Sequence, residues 1–377
     1  MKTINLDNIF STEPRYKRLS RKNSQNKTVY NDRYTKKFGF MDKIIASTQI
    51  ITEPRYKRLE TRKVDTSPFR ILDAPGVYDD YYLNILDWSS NNYISICLAE
   101  EIYLYDVANK DVINLATFKS GVYASSLRSN GNVLAAGISN GDIIFYDVEK
   151  CKLMGKRSFH QTRVTSLDWN GNVLSSGSRT GLISNIDLRD NKEISKFKFH
   201  TQEVCGLKWS NSKRYLASGA NDNCINIWQL GSNSPRYTLN GHSSAVKALD
   251  WCPWRVSILA SGGGSKDKTV RFWDIETGTC ESSVEMSSQV CGIHFLARYK
   301  EMVTAHGYSE NDICLWKVSN FKKICSFGKH DNRVLYTVLS PDQTIVASLA
   351  ADENLKFWRI LDRTDVSTPI VESVSIR

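Results

Sequence analysis

The chain has no apolar run approaching the roughly 18 residues that a membrane span needs, and its first 30 residues are too polar for a secretory signal. An intracellular protein is expected. It also lacks any Cys-x-x-Cys pair, and its six histidines are not clustered. The nine cysteines (Cys97, Cys151, Cys205, Cys224, Cys252, Cys280, Cys291, Cys314 and Cys325) are spread through apolar stretches, so they read as buried reduced thiols, with no disulfide and no metal centre. Gly262-Gly263-Gly264-Ser265-Lys266 lacks the Gly-x-x-x-x-Gly-Lys-Ser/Thr spacing that wraps a phosphate ahead of a helix, and it reads as a turn before the strand Thr269–Trp273. No cofactor and no small-molecule substrate are expected.

What is present is enough apolar material for a large fold, 41% of 377 residues, and a net charge of +10. That charge is unevenly placed. Residues 1–68 hold 16 Lys/Arg against 7 Asp/Glu, a charge of +9, whereas the remaining 309 residues hold 34 against 33. The first segment is rich in Asn, Ser, Lys and Thr without a sustained apolar period, which predicts a basic, largely disordered arm over 1–68. Within it Thr-Glu-Pro-Arg-Tyr-Lys-Arg-Leu occurs at 12–19 and again at 52–59, a sign of short linear motifs, and Ser67-Pro68 is a candidate for proline-directed phosphorylation. The aromatic interleaving that single-stranded nucleic acid would require is limited to Tyr16, Tyr34 and Tyr56, so the arm points away from nucleic acid as the partner.

From about residue 81 the sequence repeats. Apolar alternating runs close at Tyr105-Asp106, Tyr146-Asp147, Ile186-Asp187, Trp228-Gln229, Trp273-Asp274, Trp316-Lys317 and Trp358-Arg359, at intervals of 41, 40, 42, 45, 43 and 42 residues. Each unit contains four strand-like runs bounded by turn residues, as in 163–169, 172–178, 182–188 and 193–199. Four short strands per forty residues make one propeller blade, so the body is predicted to be an all-β, seven-bladed propeller of the WD-repeat class over 69–361, with a tail over 362–377.

A second spacing recurs inside the units. His200, Ser218, Asp222 and Trp228 are separated by 18, 4 and 6 residues, His330, Ser348, Asp352 and Trp358 by the same intervals, and His242, Ser261, Asp267 and Trp273 follow a stretched version. Repetition in several blades excludes a catalytic triad, because an enzyme needs one. The sets read as buried hydrogen-bond chains, since isolated polar groups would be costly inside a blade. The seventh unit supplies only three strands before the chain turns polar at Asp362, so Phe69–Leu72 is predicted to serve as its outer strand and clasp the ring shut.

Beyond the repeat, the runs 71–88 (ILDAPGVYDDYYLNILDW), 173–178 (VLSSGS), 203–207 (EVCGL), 221–223 (NDN), 245–254 (AVKALDWCPW), Gly262–Gly264, 331–335 (DNRVL), 352–358 (DENLKFW) and the final Ile376-Arg377 closely resemble the fizzy and fizzy-related activators of the anaphase-promoting complex. The resemblance covers roughly residues 69–377. It implies a non-enzymatic coactivator of the nucleus and cytoplasm that binds destruction motifs in cell-cycle substrates such as cyclins. Its other partners would be subunits of the ubiquitin ligase and checkpoint inhibitors.

Carried over on matching motifs, the Lys-Glu-Asn degron pocket would use Asp80, Tyr81, Asn221, Ser265 (where the family usually has Thr), Gln289 and Arg333. Asp80 would face the degron lysine and Arg333 its glutamate. A groove between the first and last blades would hold the destruction box, with Asp73 and Glu353 flanking its arginine. Ligase docking would fall to Asp32, Arg33, Tyr34, Ile376 and Arg377. The box at Asp32-Arg33-Tyr34 departs from the family pattern, because Thr35-Lys36-Lys37-Phe38 replaces its Ile, Pro and final Arg. The departure suits a specialised paralogue with a meiotic or otherwise restricted role, or a scaffold or inhibitor that binds degrons without activating the ligase.

Overall fold

The computed structural model describes residues 64–189, 192–229 and 231–360. Twenty-eight strands form seven antiparallel sheets of four, and the innermost strand of each sheet lies beside that of the next. The ring closes where Leu86–Trp88 of blade 1 meets Val334–Leu339 of blade 7. It is a seven-bladed propeller.

Position within a blade determines how each strand reads. In blade 4 the innermost strand Val204–Trp209 and its neighbour Tyr215–Ala220 are covered on both faces by adjacent blades and are apolar or small almost throughout. The outermost strand Pro235–Asn240 alternates covered or half-covered residues with exposed ones, as a strand with one wet face must. The closures read from the sequence fall at the ends of the third strands, for example Trp228-Gln229 at the end of Cys224–Gln229. Aromatic rings fill the wedges between blades, where Phe197 of blade 3 stacks on Trp228 of blade 4 at 4.4 Å.

The predicted clasp is present, displaced by one residue. Arg70–Asp73 pairs antiparallel with Asn354–Arg359 as the outer strand of blade 7, and Phe69 N–H donates to the Phe357 carbonyl at 3.0 Å. The last blade therefore has no bare edge at its third strand.

All three polar sets form as spaced. In blade 7, His330 Nδ1 bonds Asp352 at 2.9 Å, its Nε2 bonds Ser348 Oγ at 2.8 Å, and Trp358 Nε1 donates to the same hydroxyl at 2.8 Å. Blade 4 repeats this through His200, Asp222, Ser218 and Trp228 at 2.8 to 3.0 Å, and blade 5 through His242, Asp267, Ser261 and Trp273. Each serine hydroxyl is enclosed between an indole and an imidazole, which makes it a structural group.

A charge belt lines the axial channel, a cavity of about 420 Å³. At one matching position of successive innermost strands stand Asp87, Arg128, Asp168, Lys208, Asp250 and His294 in blades 1 to 6. Arg128 reaches both Asp87 and Asp168 at 3.0 Å, and Lys208 reaches Asp250 at 3.5 Å. The acids also accept backbone N–H groups of the next blade, Asp87 from Ser129, Asp168 from Trp209 and Asp250 from Phe295. Burial alone would lower the Arg128 pKa, but the two carboxylates outweigh it and raise it. The belt sews neighbouring blades together.

Two expectations need correction. Cys97, Cys205, Cys252, Cys291 and Cys314 are buried, but Cys224 and Cys325 are only partly so, and Cys151 and Cys280 are exposed, because those two stand in a turn and on an outer strand. All nine are free thiols. Gly262 and Gly263 are not turn residues but the end of the strand Ile258–Gly263, and the turn begins at Gly264. A Cβ at Gly263 would collide with the Asp267 carboxylate, which the His242 set requires in that place. Among the described residues no helix is long and apolar enough to cross a membrane.

Candidate functional site

Alternating strand direction sends two kinds of connection to one face of the propeller, those between second and third strands and those from one blade's outer strand to the next blade's inner strand. Every candidate binding residue in the described part of the chain lies on this upper face. Asn221, Ser265 and Glu353 occupy connections of the first kind, and Asp80, Tyr81, Gln289 and Arg333 those of the second, with Asp73 at the end of the clasp strand.

The segment from Ala74 to Asn84 crosses this face and ties five blades together. Asp79 bonds Arg333 of blade 7, through Arg333 Nε to the carboxylate at 2.5 Å and Nη2 to the carbonyl at 2.8 Å. Asp80 pairs with Arg163 of blade 3 at 2.7 Å. Tyr81 Oη donates to the Val290 carbonyl of blade 6 at 3.3 Å, and Tyr82 Oη to Asn221 Oδ1 of blade 4 at 3.0 Å. Asn84 N–H donates to Ser125 of blade 2, and its Nδ2 reaches the carbonyls of Thr165 and Cys205. Beneath the segment, Lys247 is buried, with Nζ 3.0 Å from the Leu335 carbonyl and the rings of Tyr336 and Tyr81 at 4.3 and 5.4 Å. Burial pushes its pKa down to about 8.

These contacts assign the expected residues to different situations. Asp80 is half-buried and engaged by Arg163, which Glu203 also holds at 2.6 Å, so two carboxylates surround one guanidinium. Desolvation works against the Arg163 charge, but Glu203 and Asp80 overcome it and raise its pKa. Tyr81 is buried, only 5% exposed, and Tyr82 is the ring that reaches the surface. Asn221 also donates to Gln202 at 2.7 Å. Gln289 is 7% exposed under Gly307, and Ser265 is exposed in the blade 5 turn. Among the described residues, neither Ser265 nor Gln289 is bonded to the 79–82 segment. Arg333 has the ring of Tyr308 beside it at 5.4 Å, and Asp79 raises its pKa against the cost of burial.

Asp73 and Glu353 are brought together within blade 7, where the clasp strand ends beside the turn before the third strand. Asp73 sits opposite Asn354 in the ladder, and both acids are exposed. Glu353 Oε1 accepts the Gly76 N–H at 2.9 Å, a contact that depends on Gly76 adopting φ +79°. Asp32, Arg33, Tyr34, Ile376 and Arg377 lie outside the described residues, as do the repeated octapeptide and the arm up to residue 63.

The sequence reading missed Asp79, Tyr82, Arg163 and Glu203. A signal for the last two exists in the period, because Tyr123, Arg163, Glu203, Ala245, Gln289 and Arg333 each immediately precede the innermost strand of their blade and form one set around the upper mouth of the channel. Asp79 and Tyr82 had no such signal.

Residues 72–358 match the family model described as the CDC20/Fizzy WD40 domain. The chain is 42% identical over 314 residues to WD repeat-containing protein slp1 of Schizosaccharomyces pombe, covering 82% of this chain and 64% of that protein. It is 43% identical over 309 residues to the anaphase-promoting complex subunit cdc20 of Dictyostelium discoideum, covering 80% and 62%. The matches thus span somewhat under two thirds of these relatives' length. Among solved structures, a chain in the crystal structure of the mitotic checkpoint complex superposes with a TM-score of 0.78 at 41% identity, covering 83% of this chain and 98% of that one. On the match of residues 72–358, together with these identities, the chain belongs to the CDC20/Fizzy WD40 family.

Proposed function

We propose that this protein is a substrate-recognition coactivator of the anaphase-promoting complex, whose propeller holds Lys-Glu-Asn and destruction-box degrons for ubiquitination by other subunits. The observation that carries this reading is the gathering of an acidic cluster, a guanidinium and two amides on the upper face. Asp80 and Glu203 leave one net negative charge around Arg163 at blades 3 and 4, the Arg333 guanidinium stands at blade 7 beside Asp79, and the amides of Asn221 and Gln289 lie on blades 4 and 6. A short peptide that carries a lysine, a glutamate and an asparagine has a carboxylate, a guanidinium and an amide available to it on this one face. Asp73 and Glu353 form a second, acidic site within blade 7, fitted to a guanidinium. The names of relatives in Dictyostelium and Arabidopsis, a subunit and a cofactor of the same complex, support the assignment. Ligase subunits, cyclins and similar substrates, and checkpoint inhibitors are the corresponding partners, met in the nucleus and cytoplasm.

A second reading is favoured by the altered box at Asp32–Phe38: a scaffold or inhibitor that keeps the peptide sites without activating the ligase. Reconstituted ubiquitination of a destruction-box substrate, with and without the full chain, separates the two. Stimulation that is lost on removing Ile376 and Arg377 supports the coactivator. Retained peptide binding with no stimulation leaves the scaffold, and loss of both removes the degron-receptor reading.

A further inference from the structure

On the upper face, Arg333, the guanidinium proposed to receive a ligand's carboxylate, is already occupied from within the chain. Arg333 Nε donates to an Asp79 carboxylate oxygen at 2.5 Å, and Nη2 to the Asp79 carbonyl at 2.8 Å. We propose that Asp79 is an internal competitor for the acidic residue of the bound peptide, so that it sets how strong an acidic contact a ligand must offer before it is held. This inference rests on the peptide-receptor reading above and adds to it the residue that governs selectivity.

Three observations carry it. First, the Asp79 side chain is 50% exposed and that of Arg333 19%. The carboxylate can swing into solvent without exposing buried surface, while the guanidinium stays anchored over the ring of Tyr308. Second, the segment does not need the Asp79 carboxylate for its position. Tyr336 Oη donates to the carbonyls of Tyr78 and Asp80 at 3.3 and 2.9 Å, Asp80 is tied to Arg163, and Tyr82 to Asn221. The side chain of Asp79 is therefore free to leave a loop that remains in place. Third, its grip is incomplete. Asp79 meets the guanidinium with one carboxylate oxygen and a neutral carbonyl, whereas a ligand glutamate can take two parallel N–H groups with both oxygens, which is the stronger geometry.

Displacement also has a directional consequence. Once released, the Asp79 carboxylate is no longer neutralised by Arg333, and the upper face carries one more uncompensated negative charge, which favours a ligand that also brings a lysine. A peptide that carries both charges recovers what the broken pair cost. One with an acidic residue alone does not. Asp79 thereby discriminates against peptides that are merely acidic.

The test measures binding of a fluorescent peptide containing Lys-Glu-Asn, and of its Glu→Gln version, to the full chain and to Asp79→Asn, with thermal melts of both proteins to verify folding. Removing a competitor that occupies most but not all of the population tightens binding on the order of threefold to tenfold, as expected for a partly exposed ion pair. The gain should be confined to the glutamate peptide, since the glutamine peptide has no charge to place on Arg333. Equal or weaker binding of the glutamate peptide by Asp79→Asn, with the wild-type protein binding normally, overturns the competitor and leaves the receptor reading intact. A gain of equal size for both peptides also overturns it, because a loosened loop would act without regard to the ligand's charge. Absence of binding by the wild type and the variant alike overturns both.

Discussion

Replacing Ser348 by alanine tests whether the polar chain of blade 7 is the buried, fully satisfied network its geometry describes. Ser348 and Trp358 are 0% exposed, and His330 is 3% exposed. Because His330 Nδ1 bonds Asp352, its Nε2 is the acceptor for the Ser348 hydroxyl proton, and the same oxygen accepts from Trp358 Nε1. Ser348→Ala therefore orphans one donor and one acceptor while removing a single small atom. Each unsatisfied buried group costs about 1–3 kcal/mol, so the substitution is expected to destabilise the propeller by roughly 3–4 kcal/mol. At about 2–4 °C per kcal/mol for a domain of this size, the melting temperature should fall on the order of 10 °C. Trp358→Phe removes the donor, and after it the serine matters less, so the double variant should fall short of the summed single effects by about 1–3 kcal/mol. Chemical denaturation of the four proteins supplies the cycle. A loss below about 1 kcal/mol for Ser348→Ala, or strict additivity, would refute the network and leave three unrelated contacts.

Deleting residues 69–75 bares the third strand of blade 7. At roughly 1 kcal/mol per ladder bond, the loss is expected to be about 3–5 kcal/mol, and an unchanged melt rejects the clasp. Arg128→Met leaves Asp87 and Asp168 without their shared cation, and should cost about 2–4 kcal/mol in urea unfolding, with Arg128→Lys recovering part; parity with wild type would mean the belt is idle. His160 and His294 are pushed down to about 4 by burial. The unfolded chain takes up these protons near pH 6.5 and the folded chain does not until about 4, so stability present above pH 6.5 drains away as pH falls between those values, by roughly 3 kcal/mol per histidine. A flat melting temperature across that window contradicts the assignment, and His294→Gln should make the acid limb shallower.

Much of the fold was legible because its signals are periodic. The closures at forty-residue intervals mark the third strands, and the 18-4-6 spacing survives folding because it links two neighbouring strands of one blade with the connections at their upper ends. The clasp was legible by elimination, since a seventh sheet with three strands needs a fourth. Periodicity does not distinguish the two members of a doublet. Asp79-Asp80 and Tyr81-Tyr82 are chemically identical pairs in sequence, yet Asp79 faces Arg333 while Asp80 faces Arg163, and Tyr81 is buried while Tyr82 reaches Asn221.

By itself, then, the sequence determined the number of blades, the buried polar chains and the concentration of positive charge ahead of a neutral body, because each is written in local composition or in a repeat length. Only the tertiary structure decided how the upper face is wired. The bonds from Tyr82 to Asn221 and from Arg333 to Asp79 join residues 139 and 254 positions apart, and they exist because ring closure brings the first connection of the propeller across the mouth that the later blades surround.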